Sequence, residues 1–376
     1  MTEGAGKPSE DRRAWAEVNL SALAHNAAEL RSRLSNGCEM MAVVKSNAYG
    51  LGLEKVASVL RRENVGAFAV STVEEGVRLR ESGIAGEILI LGCTHYSDAK
   101  YISDFGLSQL AADGNHAMEL DSTGYKLRVH IAVDTGMHRL GVQPSDFDEI
   151  ESIFKCENLT VAGIASHLAS SDIIDDSEFT NLQIESFFRV VKALKAKGYD
   201  TGKTHIQTSY GIYNYNEVKC DYARAGIALY GVMSHDINTR IKPALRPALS
   251  LRARIAAVRQ IKAGESVSYG RKFTAASPMR VATISIGYAD GVPRQMSLGK
   301  CIIRGQKVPI IGQICMDMLM ADVTGIKAAA PGDIATLIGK DGDEEIRCED
   351  FAEVCGTISN DILCRLGERL PRIYVE

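Results

Sequence analysis

From residue 38 to 230, short β-branched and apolar runs alternate with longer stretches of helical spacing, the pattern of repeated strand and helix units around a parallel sheet. Eight such runs occur, at 40–44 (MMAVV), 67–71 (AFAVS), 87–91 (EILIL), 107–111 (LSQLA), 127–133 (LRVHIAV), 160–166 (TVAGIAS), 204–208 (THIQT) and 221–230 (DYARAGIALY). The segment 177–198 between two of them keeps Phe179, Leu182, Phe187, Val190 and Leu194 near helical spacing. Eight strands with intervening helices predict a closed (β/α)8 barrel of the TIM type, with a doubly wound parallel sheet as the alternative. After the turn-rich KPALRPA at 242–248 the texture changes to alternation, with Leu249, Leu251, Ala253 and Ile255 on one face, followed by MRVATISIGYADG and CIIRGQKVPIIGQICMDM. That predicts a mostly β C-terminal domain. The early run AWAEVNL precedes a helix striped by Leu23, Ala27, Leu30 and Leu34, and reads as an extra strand pairing with that β domain. The division expected is an N-terminal segment over 1–20, a barrel over 21–246 and a β-rich domain over 247–376.

At 376 residues, the chain is long enough for two domains, and 45% hydrophobic with 24% charged residues supports a sizeable core. A net charge of -4 lacks the one-sided basic field that gathers a phosphate backbone, so nucleic acid is not an expected partner. The nine cysteines include no CxxC pair, which points to reduced thiols in a cytosol-like compartment rather than a metal or disulfide framework. The start MTEGAGKPSEDRR has no apolar stretch, and no run approaches the ~18 apolar residues of a membrane span. The chain is therefore expected to be cytoplasmic, alone or as the cytoplasmic part of a longer membrane protein.

Gly202-Lys203-Thr204 has the ending of a phosphate-binding loop, but Lys197 stands where the first glycine is needed, and a helix precedes it. Lys45 is more informative. It ends the first strand and leads into Ser46-Asn47-Ala48-Tyr49-Gly50, placing an amine at the C-terminal mouth of a barrel, where sites of this fold lie. Such an amine loses its proton more readily than an exposed one, and only the neutral form attacks an aldehyde. By itself a strand-end lysine is more often a surface charge.

Its company decides the reading. AVVKSNAYGLG at 42–52, VDTGMHRLG at 133–141, RAGIALYG at 224–231, SVSYG at 266–270 and ICMDM at 314–318 resemble, in the same order, five motifs of the alanine racemase family. The resemblance implies a barrel and β domain, a homodimer with shared active sites, and pyridoxal 5'-phosphate carried on Lys45. It makes Lys45 the base on one face of the substrate and Tyr269 the base on the other, because racemisation removes a proton from one face of Cα and delivers one to the opposite face. It places His167 against Tyr269 and sets Arg224 at the pyridine nitrogen. There a permanently charged guanidinium withholds a proton and weakens the ring as an electron sink. Tyr49, Ser209, Gly226 and Ile227 would cradle the phosphate. Arg139 would hold the phenolic oxygen and the substrate carboxylate, and Met316 and Asp317 would reach substrate across the dimer. His205 fits a cofactor-neighbouring position in a His-x-x-x-Ser stretch.

Three positions depart from the family pattern. Ala132 stands where many members carry a carbamylated lysine that orients the arginine matched by Arg139. Thr208 stands for an asparagine before the phosphate-binding serine. Asn360 stands for a tyrosine beside the phosphate and the substrate side chain, where an amide suits a hydroxymethyl group. Asn360, or Ser359 before it, is also a natural N-cap for a helix beginning near Ile362. The expected activity is interconversion of L- and D-serine and L- and D-alanine, resembling the serine racemases of vancomycin resistance. The alternatives are a strict alanine racemase, a pyridoxal-phosphate decarboxylase and a non-catalytic carrier of the cofactor. The last has no use for residues 247–376.

Overall fold

The computed structural model describes residues 12–175, 177–235 and 239–376, so the polar start expected within the N-terminal segment lies outside the described residues as far as residue 11. Eight parallel strands run Glu39–Val43, Ala67–Val70, Glu87–Ile90, Ser108–Ala111, Leu127–Ala132, Leu159–Ala165, Lys203–His205 and Tyr222–Ala225. Each of the first six pairs with the next in chain order, and the eighth returns to the first, with Met41 opposite Arg224. The remaining seam, between the seventh and eighth strands, is bridged rather than laddered. Asp221 N donates to Thr204 O at 2.9 Å, and its carboxylate accepts from Thr204 N and Oγ1 at 2.8 and 2.7 Å. The result is a nearly closed (β/α)8 barrel, which excludes the open doubly wound sheet.

Three local expectations are corrected. The last strand stops at Ala225 instead of running to 230, because the Ser209 hydroxyl accepts the amides of Gly226 and Ala228 and draws the chain into a tight turn over Ile227–Tyr230. In the helix Ser177–Ala196, Phe187, Val190 and Leu194 are buried, but Phe179 and Leu182 face outward. Gln183 takes the inward position at that end, donating to His167 O and accepting from Ala169 N. In the early helix Leu20–Ser32, Leu23, Ala27 and Leu30 are buried, while Leu34 lies beyond its end.

Beyond the barrel, the long strand Leu249–Ile261 pairs with both Met279–Ile284 and Ile334–Asp341. Through Leu319–Asp322, Gln306–Ile311 and Lys300–Ile303, those pairings close a ring of six strands. The run AWAEVN forms the strand Ala14–Asn19, antiparallel to Leu249–Ile261 and parallel to Arg372–Val375. The two ends of the described chain thus meet on one sheet. All nine cysteines are free, and no helix among the described residues is long and apolar enough to cross a membrane.

Candidate active site

A cavity of about 660 Å³ opens at the C-terminal ends of the barrel strands. Nine of the thirteen expected site residues line it: Lys45, Tyr49, Arg139, His167, Ser209, Arg224, Gly226, Ile227 and Asn360. All but Asn360, which comes from the helix Ser359–Cys364 beyond the barrel, lie at a strand end or in the segment after it, because the parallel ladder delivers every C-terminal end to the same rim.

Lys45 stands at the start of an unusual turn. Ser46, Asn47, Ala48 and Tyr49 have φ of 54, 55, 54 and 50°, and Gly50 follows at 79°. Four consecutive residues with a Cβ are therefore left-handed, at a cost of about 1–2 kcal/mol each. Burial, and then the charge of Arg139, hold the Lys45 ammonium below its ordinary range. The amine is thus readied for nucleophilic attack.

Arg224 crosses the cavity floor, fully buried. Its Nη1 donates to His205 Nδ1 at 2.6 Å and to His205 O at 2.9 Å. Its Nη2 donates to Ser166 O at 2.6 Å and to His167 Nδ1 at 3.2 Å. Both histidines accept from a permanent cation, so their Nδ1 atoms carry no proton. His205 does not line the cavity as expected: it is fully buried behind Arg224, with Nε2 2.8 Å from His130 Nδ1, and it supports the guanidinium instead. Burial, followed by the charges of Arg224, Arg139 and Lys45, pushes His167 down to about 3. Burial and Arg224 likewise hold His205 well below 6.5.

The sign of these shifts sets an acid sensitivity. Between about pH 6.5 and 3 the unfolded chain binds protons at these positions that the folded chain refuses, so stability is lost as pH falls through that window. His167→Gln is expected to lose less stability than wild type on acidification below 6.5 in denaturant titrations, and equal losses would contradict the neutral, buried state.

The opposite wall suits an anion. Ser209 Oγ accepts from the amides of Gly226 and Ala228 at 3.0 and 3.3 Å, and Tyr49 faces them. A Cβ at Gly226 would lie 3.0 Å from the Tyr49 hydroxyl, so a larger residue there would have to displace Tyr49. These donors, an amine of lowered basicity and a buried guanidinium fit a phosphate-bearing aldehyde such as pyridoxal phosphate.

Arg139 projects from a loop that Asp134 shapes, its carboxylate accepting from Gly136 N and His138 N at 3.0 and 2.9 Å. That role was legible in Asp-Thr-Gly, an Asx-turn sequence, but was not anticipated. Asn360 is the second residue of the helix Ser359–Cys364, whose cap is Ile358, so the expected N-cap role of Asn360 or Ser359 is absent. Its Oδ1 instead accepts from Ser234 Oγ at 2.7 Å, which orients the amide and leaves the NH2 group for the cavity. No local signal joined Ser234 to Asn360 across 126 positions.

Tyr269, Met316 and Asp317 lie outside this cavity. Tyr269 is 72% exposed on a turn in which Ser268 has φ 65° and ψ -175°, held by its Oγ donating to Gln313 O at 2.6 Å. Met316 is also exposed, and Asp317 accepts from Arg369 Nη2 at 2.5 Å. His167 therefore meets Arg224 and not Tyr269 within one chain.

Barrel, β domain and amine-bearing cavity together define a class of pyridoxal-phosphate proteins with its site at a strand-end mouth. The family models for the alanine racemase N-terminal and C-terminal domains match residues 18–234 and 248–374. An amino-acid racemase of Enterococcus faecalis is 44% identical over 95% of this chain and 51% of its own length. A serine/alanine racemase of Enterococcus gallinarum is 38% identical over 96% of this chain and 51% of its own. The solved alanine racemase of Bartonella henselae with covalently bound pyridoxal phosphate is 30% identical, with a TM-score of 0.85 over 97% of this chain and 100% of that one. The chain belongs to the alanine racemase family. It spans about half the length of the two Enterococcus relatives.

Proposed function

We propose that the chain is a pyridoxal-phosphate-dependent racemase that interconverts the enantiomers of serine and alanine. The observation that carries this is Lys45, an amine of lowered basicity at the barrel mouth, facing Arg224, His167 and Arg139 in one cavity. Bound pyridoxal phosphate supplies an aldehyde that links to amines and a ring that accepts electrons from Cα. Tyr49, Ser209 and the backbone at Gly226 and Ile227 hold its phosphate end. Arg224 would face the ring nitrogen, where its guanidinium can donate a hydrogen bond but, being a very weak acid, transfers no proton. Arg139 binds the substrate carboxylate. Lys45 takes or returns the Cα proton on one face.

The second base is Tyr269 of another copy. Its turn is tied to the 313–318 segment, where Tyr288 N donates to Cys315 O, and Tyr269, Tyr288, Met316 and Met318 are all exposed there. Large apolar side chains left in water around a candidate catalytic phenol favour a homodimer that buries them and brings Tyr269 opposite Lys45. Met316 and Asp317 would then reach the partner's substrate. Both family domains being present favours a racemase over a carrier built from the barrel alone. Nine free thiols suit a reducing, cytosol-like compartment.

Serine as a substrate rests on Asn360. With Oδ1 occupied by Ser234, the amide can donate to a substrate hydroxyl at the place where a tyrosine would fill space. The Enterococcus gallinarum relative named for serine and alanine supports the same reading. In Asn360→Tyr, the ratio of kcat/KM for serine over alanine is expected to fall roughly 10- to 100-fold with alanine racemisation retained. An unchanged ratio would leave a strict alanine racemase as the better reading, and release of an amine from substrate would indicate a decarboxylase.

A further inference from the structure

The left-handed turn after Lys45 needs something to hold it, and its own backbone bonds do not suffice. Ala48 N donates to Val44 O at 2.8 Å and Gly50 N to Ser46 O at 2.8 Å, bonds a right-handed turn forms equally well without the Cβ clash. Beside Arg372 Nε, which donates to Gly50 O at 2.8 Å, three contacts from outside the turn converge on Asn47. Asn47 N donates to Glu75 Oε1 at 3.1 Å, and Asn47 Oδ1 accepts from Leu53 N at 3.0 Å and Arg78 Nη2 at 3.3 Å.

Glu75 sits in the first turn of the helix Val73–Glu81, whose cap Thr72 accepts from Glu75 N at 3.3 Å. Thr72-Val73-Glu74-Glu75 has the residue types of a reciprocal cap, in which the glutamate would reach back to the cap amide. Here the carboxylate goes elsewhere. Its Oε2 accepts from Ser71 N at 2.9 Å, while Oε1 takes the Asn47 amide. Ser71 lines the cavity and directly follows the strand Ala67–Val70, which pairs with the Lys45 strand. One carboxylate therefore ties together the loops that leave two adjacent barrel strands, by two charge-assisted bonds.

We infer that Glu75 is a positioning residue for Lys45: it holds the strained turn in its left-handed form and so aims the amine into the cavity. The inference rests on the reading of Lys45 as the cofactor lysine. Loss of the carboxylate lets Ser46 to Tyr49 relax to right-handed geometry, which swings Lys45 away from where the aldehyde is presented. Glutamine can offer only one oxygen, so one of the two amides would face an NH2 group, and Glu75→Gln falls between wild type and Glu75→Ala.

The test uses the full, cofactor-loaded chain. Pyridoxal phosphate is displaced with hydroxylamine and added back, and its reattachment to Lys45 is followed by borohydride reduction and peptide mass. Reattachment is expected to slow roughly 10- to 100-fold in Glu75→Ala, since a misplacement of about 1 Å costs on that scale. Hydrogen exchange over residues 46–50 should accelerate, with exchange elsewhere in the barrel unchanged. Adding Ser46→Gly, at an exposed position where glycine adopts positive φ freely, should restore part of the reattachment rate. A merely structural role predicts no such rescue. Wild-type exchange and reattachment rates in Glu75→Ala would overturn the inference. Should Glu75→Ala fail to fold, Glu75→Gln carries the same comparison, and wild-type rates there overturn it too. A wild-type adduct on another lysine would overturn the Lys45 reading, leaving the exchange comparison to decide what Glu75 holds.

Discussion

Lys45→Ala is expected to abolish covalent attachment of pyridoxal phosphate and to lower racemisation of both serine and alanine by at least about 10³-fold. Two functions are expected to disappear together, because the proposed function gives the same amine both the cofactor and the base on one face of Cα. The measurement is the absorbance of the bound cofactor together with chiral analysis of each amino acid after incubation. The supporting geometry is the position of Lys45 in the cavity, with burial and Arg139 lowering its basicity. Among the lining residues it is the single lysine. A reduced adduct that persists on another lysine in this variant would refute the assignment.

Tyr269→Phe is expected to lower racemisation by about 10²- to 10⁴-fold while leaving cofactor attachment intact, since only the proton on the second face is lost. The phenol is 72% exposed and absent from the wall of its own chain's cavity, so the proposed role for it requires a partner's site. Mixing Lys45→Ala with Tyr269→Phe under subunit exchange should therefore restore activity. At equal amounts about half the dimers are mixed, each with one intact site of two, which gives about a quarter of wild-type activity. Verified exchange without recovery would place both bases in one chain and remove the argument for a shared site.

Lys45 was legible as a strand-end residue whose role its AVVKSNAYGLG company decided, whereas Tyr269, on a turn of the β domain, was legible only through the resemblance of SVSYG. The eight apolar runs could be counted because each strand of a parallel barrel is buried on both faces and reads as a continuous hydrophobic stretch. Once eight strands alternate with helices, strand ends such as Lys45, His167 and Arg224 face one mouth by construction. The early strand Ala14–Asn19 was legible from its place before the helix striped by Leu23, Ala27 and Leu30. What failed was either marginal in period or set by remote contacts. The run through 221–230 looked uniformly apolar, yet Ser209, in a different loop, ends the strand at Ala225. Phe179 and Leu182 kept helical spacing with Phe187, but a polar Gln183 holds the inward side at that end of the helix. Asn360 suited a cap, yet Ser234 claims its oxygen.

The sequence by itself thus determined the barrel and the β domain after it, because periodicity is a local property of the chain, and its five ordered motifs pointed to the residues that bear the chemistry. Tertiary structure alone decided which groups support which. It set His205 behind Arg224 rather than in the cavity, placed Tyr269 in the open, turned the amide of Asn360 and bent four residues after Lys45 into the left-handed region. Each of these depends on a hydrogen-bond partner between 19 and 126 positions away, at Arg224, Gln313, Ser234 and Glu75, in the separations 19, 45, 126 and 28. Spacing within a short window carries no trace of such a partner, because only closure of the barrel brings the two segments together.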